Sequence, residues 1–271
     1  MTGIEDEVEA RKLARFEQAL ALGYGREPGK AIEQLEMLLP EVRDSEDRGY
    51  ILLYEALFLA RTGKTADARE RLRGVADFWE GTPEHDVRIA VFDALLDEAE
   101  GRPASALRKL NAILARFSTL RTSDDVRDVY EEIQFSRGRL LTTLADWRLA
   151  LPILEECLTF ERPKPDEYFY VNLGICYFED KQWDKAEEAL KYSLTKDLDA
   201  NWKSAAHYYL GRVYYSQGVL AKAMKEFELA LAESTAAGPS PQLIYDALAK
   251  VSHHLGLDAE AAQYARLAKR S

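Results

Sequence analysis

A small residue followed by alanine twelve positions later recurs through the chain. It appears as Ala19/Ala31, Ala56/Ala68, Ala94/Ala106, Gly138/Ala150, Gly174/Ala186, Gly211/Ala223 and Ala249/Ala261. If the first member is numbered eight and the second twenty, position eight is always Gly or Ala and position twenty is always Ala. Such a column is what two helix backbones demand where they cross closely, because a larger side chain would push them apart. Two further columns fit the same frame. Position twenty-four reads Leu35, Leu72, Leu110, Leu154, Leu190, Phe227 and Ala265; position twenty-seven reads Leu38, Val75, Ile113, Cys157, Ser193, Ala230 and Ala268. These positions lie one turn apart on the inner face of a second helix, helix B, packed against a first, helix A.

The frame predicts an all-α fold of about seven antiparallel helix pairs, near 4–40, 44–78, 84–117, 124–161, 165–198, 201–235 and 240–271, in one array without separate domains. The spacing of position eight is 37, 38, 44, 36, 37 and 38 residues. The long step falls on 118–125, where a bend is expected and where Ser123 is a candidate N-cap. In unit one, helix A spans about Asp6 to Leu22, Gly23 to Gly25 end it, and Pro28 opens helix B, where a missing N–H costs nothing. Gly101 and Pro103 repeat the device, and Gly63 breaks unit two. Pro163, Pro165 and 238–241 separate later units. Pro152 lies inside a helix B, where it deletes a backbone hydrogen bond and is expected to kink the helix. In the last unit Gln263, Arg266, Lys269 and Arg270 interleave small residues, as suits a terminal helix that faces water.

Over 168–198 the match is fullest. Tyr170, Leu173, Gly174, Tyr177, Ala186 and Leu190 follow a W-x2-L-G-x2-Y, A-x3-F pattern, with Tyr170 in the place of the Trp and Leu190 in that of the Phe. In this the chain resembles the tetratricopeptide repeats, whose units run to about 34 residues. The resemblance implies a right-handed superhelical solenoid whose helices A line the concave side, with positions two, five, nine and twelve facing the groove. In unit four these are Glu132, Phe135, Arg139 and Thr142; in unit five, Tyr168, Val171, Ile175 and Phe178; in unit six, Ala205, Tyr208, Arg212 and Tyr215; in unit seven, Leu243, Asp246, Lys250 and His253.

The binding candidates that follow are Phe135, Arg139, Tyr168, Ile175, Phe178, Tyr208, Arg212, Tyr215, Asp246 and Lys250. Aromatic and aliphatic anchors with spaced cations suit a protein or peptide partner with an exposed carboxylate, which Arg can hold through two parallel hydrogen bonds. The competing reading is that several of these rings only pack between adjacent helices. The same positions in units one to three (Leu13, Phe16 and Leu20; Tyr50, Leu53, Leu57 and Ala60; Arg88, Val91, Leu95 and Glu98) are greasier: either this half has a dry groove that a partner or a second copy of the chain fills, or the frame shifts there. The family's clamp for chaperone tails is absent, since Val171 and Ile175 stand where it needs Lys and Asn.

Enzyme chemistry finds no support. The chain lacks G-x-G-x-x-G, G-x-x-x-x-G-K-[ST] and H-E-x-x-H. Of its four histidines, His207 sits at position four, at the core edge, and His253 and His254 diverge on a helix, so no metal or cofactor is expected. Glu155, Glu156, Glu187 and Glu188 are expected on solvated outer faces. Lys and Arg number 36 against 47 Asp and Glu, a net charge of -11 with no basic block, which disfavours nucleic acid and anionic membranes. The first residues carry no signal-like apolar stretch and no run is long enough to span a membrane. Cys157 and Cys176 fall on core-facing positions as free thiols, which with these points suggests a cytoplasmic protein. The functional expectation is a non-enzymatic scaffold that binds through the helix-A face of units four to seven. The alternative is a regulator whose superhelix changes shape on binding a peptide.

Overall fold

The computed structural model describes residues 2–24, 27–79, 81–117, 127–160, 167–234 and 238–269. These hold fourteen α-helices, one short 3-10 turn and no strand. The helices alternate A and B: α1 (Thr2–Tyr24) and α2 (Pro28–Leu38), α3 (Ser45–Arg61) and α4 (Thr65–Val75), α5 (Pro83–Ala99) and α6 (Pro103–Arg116), α7 (Arg127–Thr143) and α8 (Trp147–Cys157), α9 (Glu167–Glu179) and α10 (Trp183–Leu194), α11 (Ala200–Ser216) and α12 (Leu220–Ala232), α13 (Pro241–His254) and α14 (Asp258–Ala268). The chain divides into two compact bodies, Met1–Ile133 and Gln134–Ser271. The joint at 118–125, with Ser123, and the linker prolines Pro163 and Pro165 lie outside the described residues, as does Gly25.

The two kinds of helix begin differently. Several A helices are entered through side-chain caps: Asp44 accepts from the N–H groups of Glu46 and Asp47, Thr82 from His85, Asp199 from Trp202 and Ser240 from Leu243. Each satisfies a donor that the first turn would otherwise leave unpaired. The B helices have no such cap. Six of the seven follow directly from a Schellman motif that ends the A helix, in which the N–H of position sixteen reaches the carbonyl of position eleven: Lys64 to Leu59, Arg102 to Asp97, Asp146 to Leu141, Gln182 to Tyr177, Val219 to Tyr214 and Leu257 to Ser252, at 2.8 to 2.9 Å. Position fifteen is then left-handed. Gly63, Gly101, Gly218 and Gly256 fill it without strain, whereas Ala145 and Lys181 hold φ of 59° and 63° there.

The small-residue columns are the core. Ala31, Ala68, Ala106, Ala150, Ala186 and Ala223 are wholly buried, as are Leu35, Leu110 and Leu190. Position eight faces position twenty-four: a Cβ on Gly174 would stand 2.6 Å from Leu190 Cγ, and one on Gly211 would stand 2.7 Å from two ring carbons of Phe227. The last pair differs. Helix α14 has no fully buried residue, because Ala265 and Ala268 are too small to fill the columns and its other faces are polar.

Helix α8 runs from Trp147 through Pro152 to Cys157, with the proline on an exposed face. One expectation needs revision: the acidic pairs are not simply solvated. Glu155 accepts from the Tyr177 hydroxyl at 3.2 Å, Glu156 from Gln134 at 2.8 Å and Glu187 from the Tyr214 hydroxyl at 3.0 Å; only Glu188 is exposed. These bonds tie a B helix to a neighbouring A helix. In the first body the equivalent seam is ionic. Arg69 of α4 pairs with Asp93 and Asp97 of α5 and with Glu100 just after it, and Arg102, just before α6, closes on Asp97 together with Ser105 and Lys109 of α6. Asp97 is 2% exposed, and hydrogen bonds from Lys109, Arg102, Ser105 and Arg69 outweigh burial to hold its carboxyl well below the usual range.

Candidate functional site

All ten candidate residues lie in the second body, on the A helices α7, α9, α11 and α13. Their surroundings divide them. Phe135 packs edge-on to Phe160 and Phe169 at 5.8 and 5.5 Å, and is half-buried. Tyr168 leans on Trp202 at 5.3 Å. Ile175 is only 7% exposed and belongs to the core, so it offers a partner almost no surface. Arg139 is half-buried on α7.

The candidates converge between α9 and α11. The Arg212 guanidinium lies 4.3 Å from the centre of the Phe178 ring, 5.1 Å from that of Tyr209 and 5.8 Å from that of Tyr208. Its Nη1 donates to Glu179 Oε1 at 3.3 Å. Burial raises the hydroxyl pKa of Tyr208 and Tyr209, with Arg212 pulling both back. Tyr208 also leans on Phe227 of α12 at 5.8 Å, so it serves the core as well as the surface. Further along, the Tyr215 hydroxyl meets His254 Nδ1 at 3.2 Å. Lys250 pairs with Asp246 at 2.6 Å one turn away, both well exposed, and this hydrogen bond raises the Lys250 pKa. Leu243, on the same helix, is 54% exposed.

Thus the cations expected to await a partner already hold internal carboxylates at Arg212 and Lys250. Glu179 and Tyr209 were missed because only positions two, five, nine and twelve were followed. They occupy thirteen and six, which the 3.6-residue period puts on the same stripe. His207, at the core edge, faces Glu226 at 2.7 Å. Cys157 and Cys176 are buried and not joined in a disulfide, and burial pushes the Cys176 thiol up to about 11, with Thr142 opposing.

In the first body the A-helix face is ionic at one end. Arg88 stands over Tyr50 at 5.6 Å and pairs with Asp128 at 3.0 Å, while burial pushes the Glu132 carboxyl up to about 7 against the pull of Arg88. Phe16, Tyr54 and Phe92 form an edge-to-face row beside it, at 5.6 and 5.7 Å. Among the described residues, no three His, Cys, Asp or Glu side chains group to hold a metal ion, and no helix is long and apolar enough to cross a membrane.

No family model matches the chain, and no curated protein matches it. Solved structures do. The apo form of the quorum sensor NprR from B. thuringiensis is 16% identical, with 98% of this chain and 76% of that chain covered and a TM-score of 0.68. The fold is a tetratricopeptide-like helical repeat. NprR in complex with its cognate peptide NprX is 15% identical, covering 94% of this chain and 76% of that one at a TM-score of 0.62. Pseudomonas aeruginosa PilF is 17% identical, covering 84% and 93% at 0.60. At these identities the likeness carries the repeat fold and no residue of the face.

Proposed function

We propose that the chain is a non-enzymatic scaffold that binds a protein or peptide along the helix-A face of repeats four to seven. The observation that carries this is the α9–α11–α13 stripe. It joins the Arg212 cluster of aromatic rings to the exposed Leu243, Asp246 and Lys250. Rigid aromatic surface bordered by charge is what extended peptides anchor on. A peptide-bound structure of the same fold, NprR with NprX, supports a peptide as the ligand.

The stripe also changes which variant tests it. Replacing Tyr208 and Arg212 with Ala would disturb packing as well as binding, because Tyr208 lies on Phe227 and Arg212 ties α9 to α11. Leu243→Ser with Lys250→Ser is the cleaner pair, since both are exposed and surface changes of this kind cost within about 0.5 kcal/mol. Panning a displayed random peptide library on the wild-type chain should enrich peptides that bind the double variant at least tenfold more weakly. No enrichment, or equal affinity for the variant, refutes the assignment.

The second reading, a regulator that changes shape on peptide binding, is favoured by Pro152 inside α8 and by the likeness to NprR with its peptide; the 118–125 joint lies outside the described residues. Scattering profiles with and without a selected peptide decide it. An unchanged radius at saturation leaves the rigid scaffold.

A further inference from the structure

We infer that Glu179 occupies, on Arg212, the place of a ligand carboxylate, and yields it to an aspartate or glutamate side chain inside a bound peptide, beside an aromatic residue of that peptide. The inference rests on the proposed binding face and names what that face selects and what holds it closed.

Cation–π contact with Phe178 and Tyr209, at 4.3 and 5.1 Å, holds the guanidinium against the rings, and its N–H groups are what a carboxylate can engage. A guanidinium carries five donors in a fork that matches both oxygens of a carboxylate, at about 2.7–2.9 Å in good pairs. Glu179 engages it through one oxygen, at 3.3 Å, and the Tyr209 hydroxyl is a second partner, so the internal carboxylate itself uses only part of the fork. Glu179 is also the last residue of α9, where the helix dipole disfavours a carboxylate. Its position gains nothing from its own helix, so Arg212 is what holds it. The two side chains are 34% and 27% exposed, within reach of solvent and of a ligand. Lys250 and Asp246 repeat the arrangement at 61% and 55%, a second cation on the same face with an exchangeable internal counter-ion.

The face also says which carboxylate. The stripe runs on from Arg212 in both directions, to Tyr168 and Trp202 on one side and to Tyr215 and His254 on the other. A chain passing through it offers side chains at this point, not a terminus. The rings at Phe178 and Tyr208 favour an aromatic neighbour for the acid.

The test uses two end-capped tripeptides, acetyl-phenylalanyl-aspartyl-phenylalanine amide and its asparagine twin, with the full chain. Binding to each protein is followed by isothermal titration calorimetry, which reads the wild type and every variant alike. The wild-type chain should prefer the acidic peptide. Glu179→Gln should tighten that peptide about three- to fivefold, the release of one half-exposed ion pair, and leave the asparagine peptide unchanged. Arg212→Lys, which keeps the charge and loses the fork, should abolish the discrimination. The inference is overturned if Glu179→Gln leaves the ratio of the two affinities unchanged, if neither peptide binds, or if acetyl-phenylalanine with a free terminal carboxylate binds more tightly than the tripeptide. Failure of these probes while library-selected peptides still need Leu243 and Lys250 removes the inference and keeps the binding face. Failure of the library removes the face itself.

Discussion

Glu55 gives the sharpest prediction. It sits on α3 at position seven of its repeat, wholly buried, and Arg71 Nε stands 3.1 Å from its Oε2. Neither carboxylate oxygen has a properly directed hydrogen bond, and Arg71 also reaches the exposed Glu36 at 3.4 Å. Burial pushes the carboxyl from 4.5 up to about 7, with Arg71 opposing and Glu36 assisting. Below pH 4.5 both the folded and the unfolded chain hold the proton, and the folded state bears no penalty. As pH rises from 4.5 towards 7 the unfolded chain releases the proton while the folded chain keeps it, so stability falls. Above about pH 7 both are ionised and the loss is complete. At about 1.4 kcal/mol for each tenfold change in proton affinity, the loss comes to about 3 kcal/mol. Glu55→Gln cannot ionise and escapes it. Urea unfolding of both proteins between pH 4.5 and 8, with hydrogen exchange of α3 as the local readout, should show the variant gaining about 3 kcal/mol on the wild type across that range. Glu132, also pushed up to about 7, is common to both proteins and cancels in the difference. Parallel stability curves would refute the reasoning, because they would mean that water or a rearranged Arg71 already solvates the buried charge.

Two other outcomes follow from packing and charge. Gly211→Ala drives a methyl group into the Phe227 ring and should cost about 1–3 kcal/mol in chemical denaturation, where Gly218→Ala acts only through its left-handed backbone. Asp97→Asn leaves Arg69, Arg102 and Lys109 sharing a neutral partner and should cost about 3 kcal/mol at pH 7. Because the wild-type carboxyl is held low, its contribution is present above pH 4 and drains away as pH falls further, so the two melting curves should converge in acid.

The helix pairs were legible because close backbone crossing admits one kind of residue: Gly138, Gly174 and Gly211 each face a position-twenty-four side chain that leaves no room for a Cβ. Position fifteen was equally legible and went unread, since four of its six described members are glycine. The seams between repeats were not legible. Tyr177 and Glu155 are 22 residues apart, Tyr214 and Glu187 are 27 and Arg69 and Asp97 are 28, so no single helical period joins them. At the candidate site, the sequence showed Arg212 and its rings but not that Glu179 meets the cation, because that depends on where one helix ends against the next.

Those seams bear on how such a chain can change over evolutionary time. Arrays of like units grow and shrink by duplicating or losing a unit, which requires each unit to accept a new neighbour. Excising the α3–α4 pair would strip Asp97 of Arg69, and excising the α9–α10 pair would strip Tyr214 of Glu187. The buried Asp97 makes the first of these the costlier loss. At these seams the repeats are not interchangeable, and their order is part of the fold.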